Sequence, residues 1–356
     1  RDAMNTMNII DLNCDTLIKL HEQGCGLEDV QGHIDLDALR RGGALVQCFA
    51  VYTPTHEQVH KHKITTGPWE YFNTAADIFD REMEKHKELI RPVRCAADIK
   101  ENMDAGRISA MLTLEDGVCI DGRMERVQQL YDRGVRMIAL TWNYENSIGF
   151  PNPADPELHA LGLKPFGFEV VERMGELGMI VDVSHLSEGG FYDVAEAVKG
   201  PFAASHSCAR ALCGHSRNLT DRQLRVLGDH GGVCGVNFYS SFLTGTDFTA
   251  IDDILRHMEY IADKAGIEAV ALGSDFDGID CGLEFGGYAG MPRLVEAIAA
   301  RFGSGNADRI CYNNHISFLR FYRISFFYTL IIITHSILII NMPNSKTDTE
   351  ILMIRM

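Results

Sequence analysis

The sequence predicts a (β/α)8 barrel of the TIM type, and two observations carry that prediction. Eight short runs rich in Val, Ile, Leu and Ala recur along the chain, and the segments between them place apolar residues at helical spacing. Near-continuous apolar strands that alternate with helices form a parallel sheet covered on both faces. Eight such units in one chain suit a closed barrel. A doubly wound sheet is the runner-up, but no GxGxxG follows the first strand. The chain has 356 residues, 46% of them apolar, enough for one large barrel with a sizeable core.

The strands read, in order, "NIIDLNCD" (8–15), "ALVQCFAVY" (44–52), "ISAMLTLED" (108–116), "VRMIALTWN" (135–143), "MIVDVSH" (179–185), "PFAASHS" (201–207), "GVCGVNFY" (232–239) and "AVALGSDFD" (269–277). Amphipathic helices lie between them at "GRMERVQQLYDRG", "FGFEVVERMGELG", "EGGFYDVAEAVKG", "TDRQLRVLGDHG" and "AIDDILRHMEYIADKAG", often with Gly after the last turn. The longer stretch from His56 to Val93 reads as a helical excursion after the second strand.

The barrel is expected over residues 8–314. Residues 1–7 lack the apolar core of a signal peptide and read as an extension ahead of a native start at Met4 or Met7. After about Asn314 the composition shifts, and 315–356 read as an atypical tail. Its apolar run "FFYTLIIITHSILII" (326–340) falls short of the roughly 20 residues of a membrane span. An aberrant terminus is favoured there over an anchor.

The formal net charge of −16 argues against a nucleic-acid partner, which needs a basic footprint. Ten cysteines are scattered through apolar stretches without a CxxC pair, which points to reduced thiols and a cytoplasmic location.

Chemistry in such a barrel belongs at the C-terminal ends of the strands. Those ends carry Asn13 and Asp15, Glu115, Trp142, His185, His206, then Asp275 and Asp277. A lone histidine at a strand end is more often structural than a ligand. His185 and His206, however, end neighbouring strands about 4.8 Å apart and are able to grip one metal ion. Neutral imidazole suits zinc, and Glu115 or Asp15 can complete the centre. Five polar strand ends around one rim suggest a two-metal hydrolytic site. Asn13 is the odd member, because N-x-D stands where H-x-D would make a better metal site.

The remaining polar residues read less sharply. His56, His60 and His62 fall in a polar excursion and read as solvated, and His33 reads as a loop anchor. Arg217, in "CGHSRN", either clamps a carboxylate bidentately or makes a surface salt bridge. Of Asp275 and Asp277, one reads as a proton shuttle or amine anchor and the other as a structural acceptor. Spacing alone turns both inward.

These motifs carry a resemblance. From about Ile9 to Asn314 the chain resembles the membrane dipeptidase family of zinc peptidases. It does so in "DLNCDTL", "HIDLDALRRGGALVQCFAVY", "TLEDG", "LTWNYENSIG", "DVSHLSEGGFYDV", "PFAASHSCARALCGHSRN" and "LGSDFDG". The resemblance implies two zinc ions, with Asp15 on the first, Glu115 bridging both, and His185 and His206 on the second. It implies that Arg217 receives the carboxylate of a dipeptide substrate and that Asp275 meets the amine and handles protons.

Two positions depart from the family pattern. Asn13 stands where the family has a metal-binding His, and Trp142 replaces a His that faces the transition state. Asn143 or Asn146 then becomes the candidate donor to the developing oxyanion, with Trp142 and Asn143 at the substrate. The expected activity is a zinc-dependent dipeptidase. The alternatives are another hydrolase of the amidohydrolase type (a lactonase or deaminase) or a metal-poor barrel that serves as a binding protein. A homodimer is compatible with the sequence.

Overall fold

The structure, a computed structural model, describes residues 8–53, 66–153 and 155–319. Eight strands close into a barrel: Ile9–Asp11, Ala44–Tyr52, Ile108–Glu115, Met137–Ala139, Ile180–Asp182, Ala203–Ser207, Val233–Val236 and Val270–Leu272. They are called the first to eighth strands below. Each pairs in parallel with the next. The eighth returns to the first through Leu272 and Asp11. The longest seam runs from Val46 opposite Ser109 to Tyr52 opposite Glu115, which puts Glu115 at the barrel mouth.

The expected helices appear as Met124–Arg133, Pro165–Leu177, Glu188–Ala197, Asp221–Asp229 and Ile251–Ala265. The excursion after the second strand contains an 18-residue helix, Pro68–Lys85, that buries Tyr71, Phe72, Ala75, Ala76, Phe79 and Met83. Those positions recur at helical spacing, so one face meets the barrel. His56, His60 and His62 lie outside the described residues. No helix among the described residues is long and apolar enough to cross a membrane, and the run 326–340 also lies outside them.

Two apolar layers hold the barrel. A large one sits between strands and outer helices. A smaller one fills the interior with Ile10, Leu12, Val46, Cys48, Met111, Met137, Ile180 and neighbours. Ile316, Phe318 and Leu319 join this inner cluster, each buried. The packed chain therefore continues past Asn314, five residues beyond the expected boundary. Asn314 itself donates to the carbonyls of Ile267 and Val270, which ties the last helix beneath the eighth strand.

One irregularity aims a functional residue. The sixth strand pairs Ala204 with Cys234 and Ser207 with Val236, so it carries one residue more than its partner. Such a bulge re-aims side chains. The bulged Ser205 carbonyl presses against the seventh and eighth strands, where a Cβ at Gly235 or Gly273 would collide with it. Two glycines at those positions leave it the space.

Candidate active site

At the mouth of the barrel, three ligand atoms converge. His185 Nε2 lies 3.0 Å from His206 Nε2 and 3.1 Å from Glu115 Oε1, and His206 Nε2 lies 3.6 Å from the same oxygen. All three residues are buried. A point equidistant from these atoms is about 1.9 Å from each, close to the roughly 2.0–2.1 Å of a zinc–nitrogen bond.

The outer ring nitrogens explain why the inner ones face one another. His185 Nδ1 meets Asn143 Oδ1 at 2.9 Å, an acceptor, so Nδ1 carries the proton. His206 Nδ1 meets Ser205 Oγ at 2.7 Å. The Ser205 hydroxyl donates in turn to Asp182 Oδ2, so its oxygen accepts from His206. In the neutral rings both Nε2 lone pairs then point at Glu115, an arrangement that needs a cation between them. Supports of this kind set tautomer and ring orientation in metal sites.

The electrostatics agree. Burial, aided by the Arg217 charge, holds His185 down at about 3, so its ring is neutral and free to ligate. Burial alone would raise Glu115 and lower His206, but their mutual attraction reverses both. The centre thus draws in positive charge, whether a proton or a metal ion. A second group, Glu28, Glu82 and His86, also has ligand-like spacing. There Lys85 already pairs with Glu28, and Arg81 Nε with Glu82 Oε1 at 3.2 Å, so protein cations meet the charge.

The first-strand residues lie differently from the expectation of a regular strand end. The strand stops at Asp11, and Asp15 occupies the position before helix Thr16–Gln23. Asn13 and Asp15 still reach the mouth. Asn13 Nδ2 donates to Glu115 Oε2 at 3.1 Å and to Asp275 Oδ1 at 3.5 Å. Asp15 Oδ2 and Asp275 Oδ1 both occupy the space that a Cβ on Gly278 would need, and Asp15 Oδ1 has no hydrogen-bond partner among the described residues. Burial and the charges of Glu115 and Asp275 push Asp15 well above the usual carboxylate range.

Asp275 and Asp277 part company. Both take positive φ, 61° and 68°, as does His185 at 68°, so simple strand alternation no longer governs them. Asp275 faces the mouth, where Asn237 donates to its Oδ2 at 2.9 Å. Asp277 turns away to accept from Thr16 Oγ1 at 2.7 Å and from the His33 backbone at 2.6 Å. Asp277 is the structural acceptor of the pair, and His33 anchors its loop.

Arg217 resolves against the surface salt bridge, since it is 4% exposed. Nη1 reaches Ser207 Oγ at 3.3 Å and Nη2 the His206 carbonyl at 3.0 Å, while the buried Nε has no hydrogen-bond partner among the described residues. No carboxylate of the described residues pairs with it. Trp142 stands edge-on to Tyr52 with centroids 4.9 Å apart and lies 6.0 Å from the His185 ring. Asn146 uses both ends of its amide, donating to Asp116 Oδ1 and the Leu140 carbonyl and accepting from Ile148 and Gly149, so of the two asparagines only Asn143 keeps a free donor among the described residues. Sequence reasoning missed Asp182, Ser205 and Asn237. Asn237 directly follows the seventh strand, so the strand-end signal was there to find it. Nothing in the sequence marks the other two as supports.

The model of the membrane dipeptidase family, peptidase family M19, matches residues 1–320. The chain belongs to that family. Membership makes it a metallopeptidase, a hydrolase of peptide bonds. Among curated relatives, an uncharacterized protein of the pqqA 5′ region of Klebsiella pneumoniae is 36% identical over 262 residues, covering 68% of this chain and 96% of that one. An uncharacterized dipeptidase of Schizosaccharomyces pombe is 35% identical, and the match covers 70% of this chain but only 62% of the yeast protein.

Solved structures of the family show the same barrel. Dipeptidase AC, an M19 metallopeptidase, is 25% identical with a TM-score of 0.79, covering 88% of this chain and 98% of its own. A metallopeptidase from Rhodobacter sphaeroides, bound to a phosphinate mimic of the dipeptide L-Ala-D-Ala, gives the same identity and TM-score and covers 88% and 99%.

Proposed function

We propose that this family member is a zinc-dependent dipeptidase. The observation that supports it most is the meeting of His185 Nε2, His206 Nε2 and Glu115 Oε1 at ion-sized spacing, with both outer ring nitrogens already engaged. Two imidazoles and a carboxylate are a zinc donor set. When bound, such an ion supplies an activated water and polarises the scissile carbonyl. The chain's own groups do the rest. Arg217, buried with an unpartnered Nε, receives the substrate carboxylate. Asp275, raised by burial and steadied by Asn237, takes the amino group and holds or passes a proton. Trp142 and Asn143 border the substrate, and Asn143 also braces His185.

Reading both termini of the substrate limits its length to two residues. The Rhodobacter neighbour's ligand supports including a D-residue at the second position in any substrate panel. The family's second ion would lie by Asp15 and the other oxygen of Glu115, where Asn13 is a weak donor. All ten cysteines are free thiols, in keeping with a reduced, cytoplasmic setting.

The test is metal analysis of purified protein with a panel of dipeptides and their C-terminal amides. Zinc at one or more ions per chain, with dipeptides cleaved and amides refused, is the expected result. Equal use of both would show that Arg217 does not read a carboxylate, and refusal of both with turnover of a lactone or an amine substrate would favour a lactonase or deaminase, whose substrates give Arg217 nothing to bind. A metal-free, inert protein would favour the binding barrel.

A further inference from the structure

We propose that Arg210 is a positioning residue that aims Arg217 at the substrate carboxylate. The inference rests on the reading of Arg217 given above. Arg217 lies on an irregular loop between the sixth strand and helix Asp221–Asp229, with no regular element to orient it. Arg210 supplies the missing frame. Its Nε donates to the Asn218 carbonyl at 2.8 Å and its Nη2 to the Ser216 carbonyl at 3.0 Å, so one planar group ties the residues on both sides of Arg217. The peptide before Arg217 is held at its other end too, because Arg217 N donates to His215 Nδ1 at 3.1 Å.

The fork is itself anchored from behind. Nη1 meets Glu188 Oε2 at 3.3 Å, and Nη2 lies 3.1 Å from His159 Nε2. Arginine only donates, so His159 must accept there and stay neutral at that nitrogen. Arg210 N also bonds the Leu219 carbonyl at 2.8 Å, which closes the base of the loop. A lysine keeps the charge but not the fork, and a single ammonium cannot reproduce this planar grip on two carbonyls and a carboxylate. Arg210 borders an outer cavity of about 570 Å³, so a shorter side chain there opens onto existing space rather than creating a void.

The test uses the metal-loaded full chain and the variants Arg210→Lys and Arg217→Ala. Arg210→Lys should speed amide hydrogen exchange at Arg217–Leu219 and leave metal content and melting temperature unchanged. Its KM for a dipeptide should rise about tenfold to a hundredfold, the scale of a misplaced binding group, with kcat little changed. Preference for the dipeptide over its amide should fall, and adding Arg210→Lys to Arg217→Ala should raise KM no further. Should the lysine variant fold poorly, Glu188→Gln loosens the same anchor and should give a smaller change of the same kind. Unchanged exchange with unchanged KM, or equal losses on dipeptide and amide, would overturn the proposal. If Arg217→Ala leaves the amide preference intact, the carboxylate reading is what fails, and the exchange data still decide whether Arg210 holds the loop.

Discussion

Asn13 and Glu115 are joined by a hydrogen bond of 3.1 Å, from the amide Nδ2 to Oε2, while the other Glu115 oxygen faces His185 and His206. The Glu115 carboxylate is thus divided between two imidazoles on one side and an amide donor on the other. A neutral amide is a weak zinc ligand. Metal titration of the chelated protein should show one tight ion per chain and a second that is weak or absent. Asn13→His should add a second tight ion and raise the rate with it. Two tight, equivalent ions in the unaltered chain would contradict this account.

Ser205 is expected to matter more than its small side chain suggests. Ser205→Ala removes the acceptor of His206 Nδ1 and the link to Asp182. Loss of such a support typically weakens metal binding about tenfold to a hundredfold. His206→Ala should abolish tight binding altogether while leaving a folded barrel. Competition with a chromophoric chelator distinguishes the two variants from each other and from the parent, and a Ser205→Ala protein with parental affinity would refute the support.

Truncation tests where the packed chain ends. A chain stopped after Leu319 retains the described core and should remain folded and active. One stopped after Asn314 loses the buried Ile316, Phe318 and Leu319. At about 1.5–3 kcal/mol per buried apolar side chain, the loss approaches the whole stability of an ordinary domain. Urea unfolding of the two truncated proteins gives the comparison, and equal midpoints would show that the three side chains contribute little.

His315 should make the fold acid-sensitive. It is fully buried beneath the eighth strand, Nε2 accepts from Leu272 N at 3.4 Å, and burial holds it down at about 4 against an ordinary 6.5. The unfolded chain binds a proton below 6.5 that the folded chain refuses. Its contribution is therefore intact above 6.5 and is lost as pH falls toward 4, by about 3 kcal/mol in all. His315→Gln should flatten that part of the stability profile between about pH 7 and pH 4.5. A variant with the parental acid slope would show that other groups set it.

The sequence by itself determined the eight strands, their order around the barrel, and the rim carrying Asp15, Glu115, His185, His206, Arg217 and Asp275. It could do so because apolar periodicity and strand ends are local features of the chain. What it left open depends on contacts between distant segments. The parting of Asp275 from Asp277 follows from positive φ angles that the surrounding fold imposes. The roles of Asp182, Ser205 and Asn237 arise only when neighbouring strands bring them behind His206 and Asp275. The place of Arg217, buried rather than paired at the surface, depends on a loop whose course Arg210 and Glu188 hold from outside. The reach of the core past Asn314 depends on the open floor of the barrel. Only closure of the sheet creates that floor, and Ile316, Phe318 and Leu319 fill it because apolar side chains there would otherwise face water.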